Sequence, residues 1–154
     1  MRARKTVLTV LTLFVGLTMC AAQNPHLGTW KLNEAKSKIT PGTQKNLTVA
    51  YEAAGDNIKA TLDGVDAQGK PTHNEWTGKF DGKDYPVTGD PTSDMRSYKR
   101  IDDRTLEATA KKDGKVTLTA QIVISADGKT RKLTTHSTDS SGKKVVNTAV
   151  YDKQ

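Results

Sequence analysis

Beyond residue 44 the chain alternates apolar and polar positions in short runs, and turn dipeptides cut those runs at close intervals. Leu47/Val49/Tyr51, Ile58/Ala60/Leu62 and Val116/Leu118/Ala120/Ile122/Ile124 place apolar side chains at every second position, the period of a half-buried strand. Thr117, Thr119 and Thr134 fall on complementary positions, where a β-branched polar side chain suits a solvated strand face. Gly55-Asp56-Asn57, Asp63-Gly64, Asp81-Gly82, Asp113-Gly114, Asp127-Gly128 and Ser141-Gly142 supply the positive φ angles of tight hairpins. The predicted strands are residues 27–32, 45–53, 58–62, 72–80, 83–87, 95–101, 106–112, 115–125, 129–137 and 143–152. A polar link over 33–44 contains Pro41-Gly42 and has room for one helical turn around 34–38. Residues 88–94, with Gly89-Asp90-Pro91, form the longest later connection, read as a rim loop or a gap in the pairing.

A meander of this kind must hide two edges, and closure removes them. The expected fold is therefore all-β: an up-and-down antiparallel barrel of about 8–10 strands, enough to curl and close. No helix is long enough to organise an α/β layer, no solenoid-type repeat is visible, and no linker separates a second core. Residues 23–154 are read as one domain.

The first 22 residues have a different character. Arg2, Arg4 and Lys5 head an apolar run over 7–19, and Cys20-Ala21-Ala22 offers small residues for cleavage before Gln23. Residues 1–22 thus read as a cleaved signal peptide, because a stable membrane span needs ~20 apolar residues. Cys20 with Leu17 three residues before it resembles the lipid-attachment motif of bacterial lipoproteins, although Met19 departs from the very small residue that motif wants. Export to the periplasm or the extracellular space is expected, with a lipid-anchored envelope protein as the alternative. Cleavage after Ala22 leaves no cysteine, hence no disulfide and no thiol chemistry.

Net charge is +7, and loss of the three basic head residues leaves +4. The basic residues Lys59, Lys79, Lys99, Lys111, Lys112, Lys129, Arg131, Lys132, Lys143 and Lys144 are dispersed rather than gathered with stacking aromatics. This argues against nucleic-acid binding and for strands whose outer faces carry lysines. With aromatics at 5%, a partly polar or hydrated interior is expected rather than a dense core.

Leu27-Gly28-Thr29-Trp30-Lys31-Leu32 resembles the first strand of the intracellular lipid-binding proteins, the fatty-acid-binding relatives of the lipocalins, and Gly28-Thr29-Trp30 is shared with the lipocalins themselves. Thr148-Ala149-Val150-Tyr151-Asp152-Lys153 resembles the last strand of that group. The resemblance implies a calycin-type barrel, with Gly28 admitting the backbone closely at the floor and Trp30 plugging the closed end. Two departures stand out. The link over 33–44 is too short for that group's two-helix lid, and its carboxylate-binding Arg falls at Ala149. Tyr151 matches the partner tyrosine, but the fatty-acid clamp is not carried over.

Arg96, Tyr98 and Arg100 share one face of one strand. Facing inward they would form a cationic, hydrogen-bonding wall for an anionic or amphipathic ligand; the apolar pair Met95 and Ile101 favours the outward orientation instead. Trp76, Gly78 and Phe80 share a face, with Trp76 either lining a cavity or, the favoured reading, serving as the main core aromatic. His73 and Glu75 share a face, but His26 and His136 have no spacing relation that completes a metal site, and no metal or other cofactor is expected. His136 and Ser137 point to opposite faces, so a triad with Asp139 is set aside and no catalytic residue is assigned. Asn46-Leu47-Thr48 fits a glycosylation sequon, read as accidental in a bacterial host.

These readings converge on an exported, monomeric, non-enzymatic protein that binds a small amphipathic or apolar molecule in the barrel. The candidate ligand-binding residues are Tyr51, Trp76, Arg96, Tyr98, Arg100 and Tyr151. The alternative is a structural, interaction or inhibitor protein of the envelope that uses rim loops such as 88–94 and holds no ligand. Membrane association would come only through the signal segment or a lipid at Cys20.

Overall fold

The computed structural model describes residues 23–154; the expected signal segment, residues 1–22 with Cys20, lies outside them. Ten strands run β1 Gly28–Leu32, β2 Lys45–Ala54, β3 Asn57–Val65, β4 Pro71–Gly78, β5 Tyr85–Thr88, β6 Met95–Arg100, β7 Thr105–Lys112, β8 Lys115–Ile124, β9 Thr130–Thr138 and β10 Lys144–Lys153. Each pairs antiparallel with its sequence neighbours, and β1 pairs β10 to close the barrel. Hairpin after hairpin turns on a left-handed glycine. Gly55, Gly69, Gly114, Gly128 and Gly142 all have φ between 61° and 83°, and all but Gly69 stand in segments read from the sequence as turns. Asp63-Gly64, also read as a turn, instead lies within β3, where Gly64 pairs with Asn46 and the missing Cβ leaves room for the Lys45 backbone. The one regular piece outside the strands is the 3₁₀ turn Glu34–Lys36, capped by Asn33, whose side chain accepts from the Lys36 amide at 3.2 Å.

Two ends follow from the up-and-down course. The floor gathers the start of β1, the end of β10 and the β2–β3, β4–β5, β6–β7 and β8–β9 turns. The mouth gathers the 33–44 link, the 88–94 loop and the β3–β4, β7–β8 and β9–β10 turns. The floor is sealed as the first strand implies. Trp30 is fully buried and donates from Nε1 to the His26 carbonyl at 3.1 Å. The Lys153 ammonium lies 5.1 Å from the Trp30 ring centroid, a cation–π contact. Gly28 has φ +119°, a backbone conformation that side-chain-bearing residues rarely adopt, so this corner depends on glycine.

Above the floor the interior is an aromatic plug. Trp76 meets Tyr98 edge-on at 4.7 Å between centroids and stacks on Phe80 at 6.4 Å, while Tyr51 touches Tyr98 and Phe80 at 6.0 and 6.2 Å. Quadrupolar edge-to-face contacts of this kind add to the burial of large apolar area. The lower half is therefore denser than the expected hydrated interior, and the open space is confined to the mouth half.

Two positions depart from strict alternation. A bulge between Asn46 and Thr48 turns Leu47 outward, 37% exposed, while Asn46 and Val49 face in. A second irregularity opposite Ala110 and Lys111 does the same to Val116, 57% exposed, and leaves Leu118 facing the lumen. In each case the extra residue shifts the register by one and flips the face of everything on the mouth side of it. Arg131 keeps the alternation with Leu133. It stands on the inner face of β9 and is 2% exposed, so it is not among the outward-facing basic residues expected from composition.

Candidate functional site

The mouth half encloses a cavity of about 330 Å³, space for roughly eleven waters at ~30 Å³ each. Its apolar wall is made by Val49, Leu62, Leu118, Ile122 and Leu133, with Ala108, Ala110, Ala120 and Ala149 supplying the room. Four alanines on neighbouring inner faces of β7, β8 and β10 are what keep the tube from filling: any larger side chain there would close it. Where the resembled last strand has an arginine, Ala149 contributes only space. Among the described residues no helical lid covers the mouth. The 33–44 link instead runs on from β1 along β10, with Lys38 and Thr148 exchanging backbone hydrogen bonds at 2.7 and 2.8 Å.

Two arginines reach the lumen, in different electrostatic situations. Arg96 and Tyr98 point inward, correcting the outward orientation expected for their strand; Met95 is half-buried and Ile101 lies beyond the strand, 48% exposed. The aromatic plug claims Tyr98, and Asp90 makes burial of Arg96 tolerable. The 88–94 loop folds inward so that Asp90 Oδ2 accepts from Arg96 Nη2 at 2.9 Å and from Ser93 Oγ at 2.6 Å. Asp90 Oδ1 takes the Thr92 amide and hydroxyl at 2.9 and 2.7 Å. Arg96 also donates to Asn74 Oδ1 at 3.2 Å, and its backbone carbonyl accepts from Trp76 Nε1 at 2.9 Å. Burial alone would raise the Asp90 carboxyl, but the hydrogen bonds from Ser93 and Thr92 and the Arg96 charge outweigh it and hold it below the ordinary aspartate value.

Arg131 has no such counter-charge. Its Nη2 donates to the Tyr51 hydroxyl at 3.1 Å, and its guanidinium carbon lies 5.2 and 5.3 Å from the ring centroids of Tyr51 and Tyr151. Its Nε and Nη1 are buried without a hydrogen-bond partner among the described residues. Neither phenol can serve as an anion, since burial pushes both the Tyr51 and Tyr151 hydroxyls above the usual tyrosine value against the opposing pull of Arg131. Tyr151 donates its hydroxyl to the Asn46 carbonyl at 3.1 Å. Asn46 Oδ1 is a buried acceptor at the cavity wall, also without a partner.

Of the residues singled out from the sequence, Arg96, Tyr98 and Tyr151 line the cavity. Tyr51 and Trp76 belong to the plug, 1% exposed each, and Tyr51 reaches the site through Arg131. Arg100 is a correction. It sits on the exposed floor end of β6, away from the cavity, because the strand's last residues have run past the plug. Arg131 was missed. It shares a face with Leu133 and lies two residues from it, so alternation from that leucine would have turned it inward. Elsewhere, His73 and Glu75 share the outer face with Lys59 and Asp63 as ion-pair partners, and exposed His136 and cavity-lining Ser137 face opposite sides.

No protein-family model matches this chain, and no curated protein matches it. Among solved structures, that of EF1p2_mFAP2b bound to DFHBI is similar, with a TM-score of 0.50 and 12% sequence identity over 84% of this chain and 94% of that one. The likeness concerns the closed barrel.

Proposed function

We propose that this protein binds a small amphipathic molecule non-covalently in the mouth half of its barrel. The observation that carries this reading is the 330 Å³ cavity, open at one end and sealed at the other, with an aliphatic wall joined by many polar side chains, among them Asn46, Asn74, Thr109, Ser137 and Asn147. Apolar atoms entering such a site leave water at ~25 cal/mol per Å², and the polar groups fix orientation, which suits an amphipathic guest. The size suits a compact guest rather than a long extended chain, since the aromatic plug occupies the lower half. The similar barrel that holds DFHBI is compatible with such a role for this fold. The N-terminal segment supports binding outside the cytoplasm. The alternative use of rim loops is less favoured, because Asp90 ties the longest of them inward instead of presenting it to a partner.

Native mass spectrometry of the protein purified from its own host tests this. A retained small-molecule mass, released on unfolding, is expected. A bare chain that also fails to enhance the fluorescence of a neutral apolar dye would overturn the reading.

A further inference from the structure

We infer that the cavity recognises an anion: the Arg131 guanidinium is the docking point for a carboxylate, sulfonate or similar acidic group, with the apolar part of the ligand directed toward the mouth. This rests on the lumenal binding proposed above and adds the ligand's chemical class and orientation.

Charge accounting at a buried guanidinium leads to this class. An arginine stays protonated, so its charge must be met or solvated. Arg131 is 2% exposed and forms no ion pair with a carboxylate among the described residues. The one acidic side chain at the cavity among the described residues, Asp90, is fully engaged: both its oxygens are taken by Thr92, Ser93 and Arg96. What surrounds Arg131 is one phenolic hydroxyl and two aromatic faces, which orient a guanidinium and partly stabilise it but carry no counter-charge. A buried cation lacking its partner is costly, and Nε and Nη1 keep N–H donors that nothing among the described residues accepts, which an acidic group would satisfy.

The contrast with Arg96 makes the point specific. The two arginines lie in the same cavity, and the fold has built a carboxylate for one and left the other without. The cavity therefore takes a single anionic group, and takes it at Arg131. Arg131 enters near the floor end of β9, while Leu118 and Ala110 stand toward the mouth on β8 and β7. The acid therefore goes in first and the apolar body follows.

The test uses two dyes with one skeleton: anilinonaphthalene sulfonate, and neutral N-phenylnaphthylamine, which lacks the acid. Fluorescence titration of the wild-type protein is expected to give at least tenfold tighter binding of the sulfonate. Arg131→Met is expected to weaken the sulfonate tenfold or more and leave the neutral dye within about twofold. Arg131→Lys is expected to retain part of the preference. Lys143→Met, on the mouth turn, serves as a control for surface charge and is expected to change neither. Equal affinity of the two dyes for wild type needs no variant to fold and overturns the anion inference. So does an equal loss of both in Arg131→Met, or an undiminished sulfonate affinity there. Failure of both dyes to bind wild type instead removes the lumenal reading beneath it.

Discussion

Replacing Asp90 with Asn tests how the loop over residues 88–94 is held. The substitution keeps the shape and the Oδ1 acceptor that receives Thr92, but puts an amide where Oδ2 accepted from Arg96 at 2.9 Å. The side chains of Arg96 and Asp90 are 10% and 7% exposed, so this is a buried pair, and removing one partner of such a pair costs about 3–5 kcal/mol. The cavity beside Arg96 admits water, which favours the lower end, about 3 kcal/mol. For a domain of this size that corresponds to a fall in Tm of roughly 10 °C. Urea unfolding followed by the fluorescence of buried Trp30 and Trp76 measures it, and a cycle with Arg96→Met isolates the coupling, expected at about 2 kcal/mol or more. The pH dependence has a definite sign. Asp90 is held below its ordinary value of 3.8 in the folded state, so its contribution is complete above that value and disappears as pH falls through the lower folded one. The gap between wild type and Asp90→Asn should therefore close in that acidic window. A loss under ~1 kcal/mol at neutral pH, the size of an exposed pair, would refute the argument that this ion pair fastens the loop.

Three further substitutions probe other parts of the account. His26 is buried with both ring nitrogens unpartnered, and burial followed by the charges of Arg131 and Arg100, against Asp102, lowers it from 6.5 to about 4. The unfolded chain thus takes up the proton first as pH falls. At ~1.4 kcal/mol per pH unit, stability that is full above 6.5 should drop by about 3 kcal/mol on reaching pH 4. His26→Leu should remove most of that slope, as urea titrations across the range would show. Gly78→Ala would set a Cβ 2.5 Å from Tyr85 Cγ and 2.7 Å from Trp76 Cζ2, an overpacking worth about 1–3 kcal/mol in chemical unfolding. Arg100→Ala, by contrast, should leave stability within about 0.5 kcal/mol and dye affinity unchanged, because the side chain is exposed and far from the cavity.

Much of the barrel was legible because its turns are chemically explicit. A left-handed glycine after Asp or Ser marks four of the hairpins, at Gly82, Gly114, Gly128 and Gly142, and alternation such as Ile58/Ala60/Leu62 carries through to the observed inner face. Where the reading failed, a one-residue event was the cause. The bulges at Leu47 and near Thr117 leave no local signature in composition, since Leu and Val at those positions fit the pattern as well as their neighbours do. The polar interior was harder still. Arg96 lies inside because a loop residue six positions away supplies a carboxylate, and Arg131 lies inside because Tyr51, distant in sequence, accepts from it. Apolar patterning turned Arg96 outward, since its partner lies off the strand, whereas Arg131 was passed over as one of many dispersed basic residues although alternation from Leu133 turns it inward. The four alanines illustrate the same limit from the other side: small residues read as weak strand formers, and only closure shows that they create volume.

Filling that volume tests the central claim most directly. Ala120→Phe places a ring in the cavity from the middle of β8 without touching mouth or floor, and N-phenylnaphthylamine fluorescence titration reads the consequence. Lumenal binding predicts at least a tenfold loss of affinity in a variant whose Tm stays close to that of wild type. Undiminished affinity in that folded variant would place the dye outside the barrel and contradict the account.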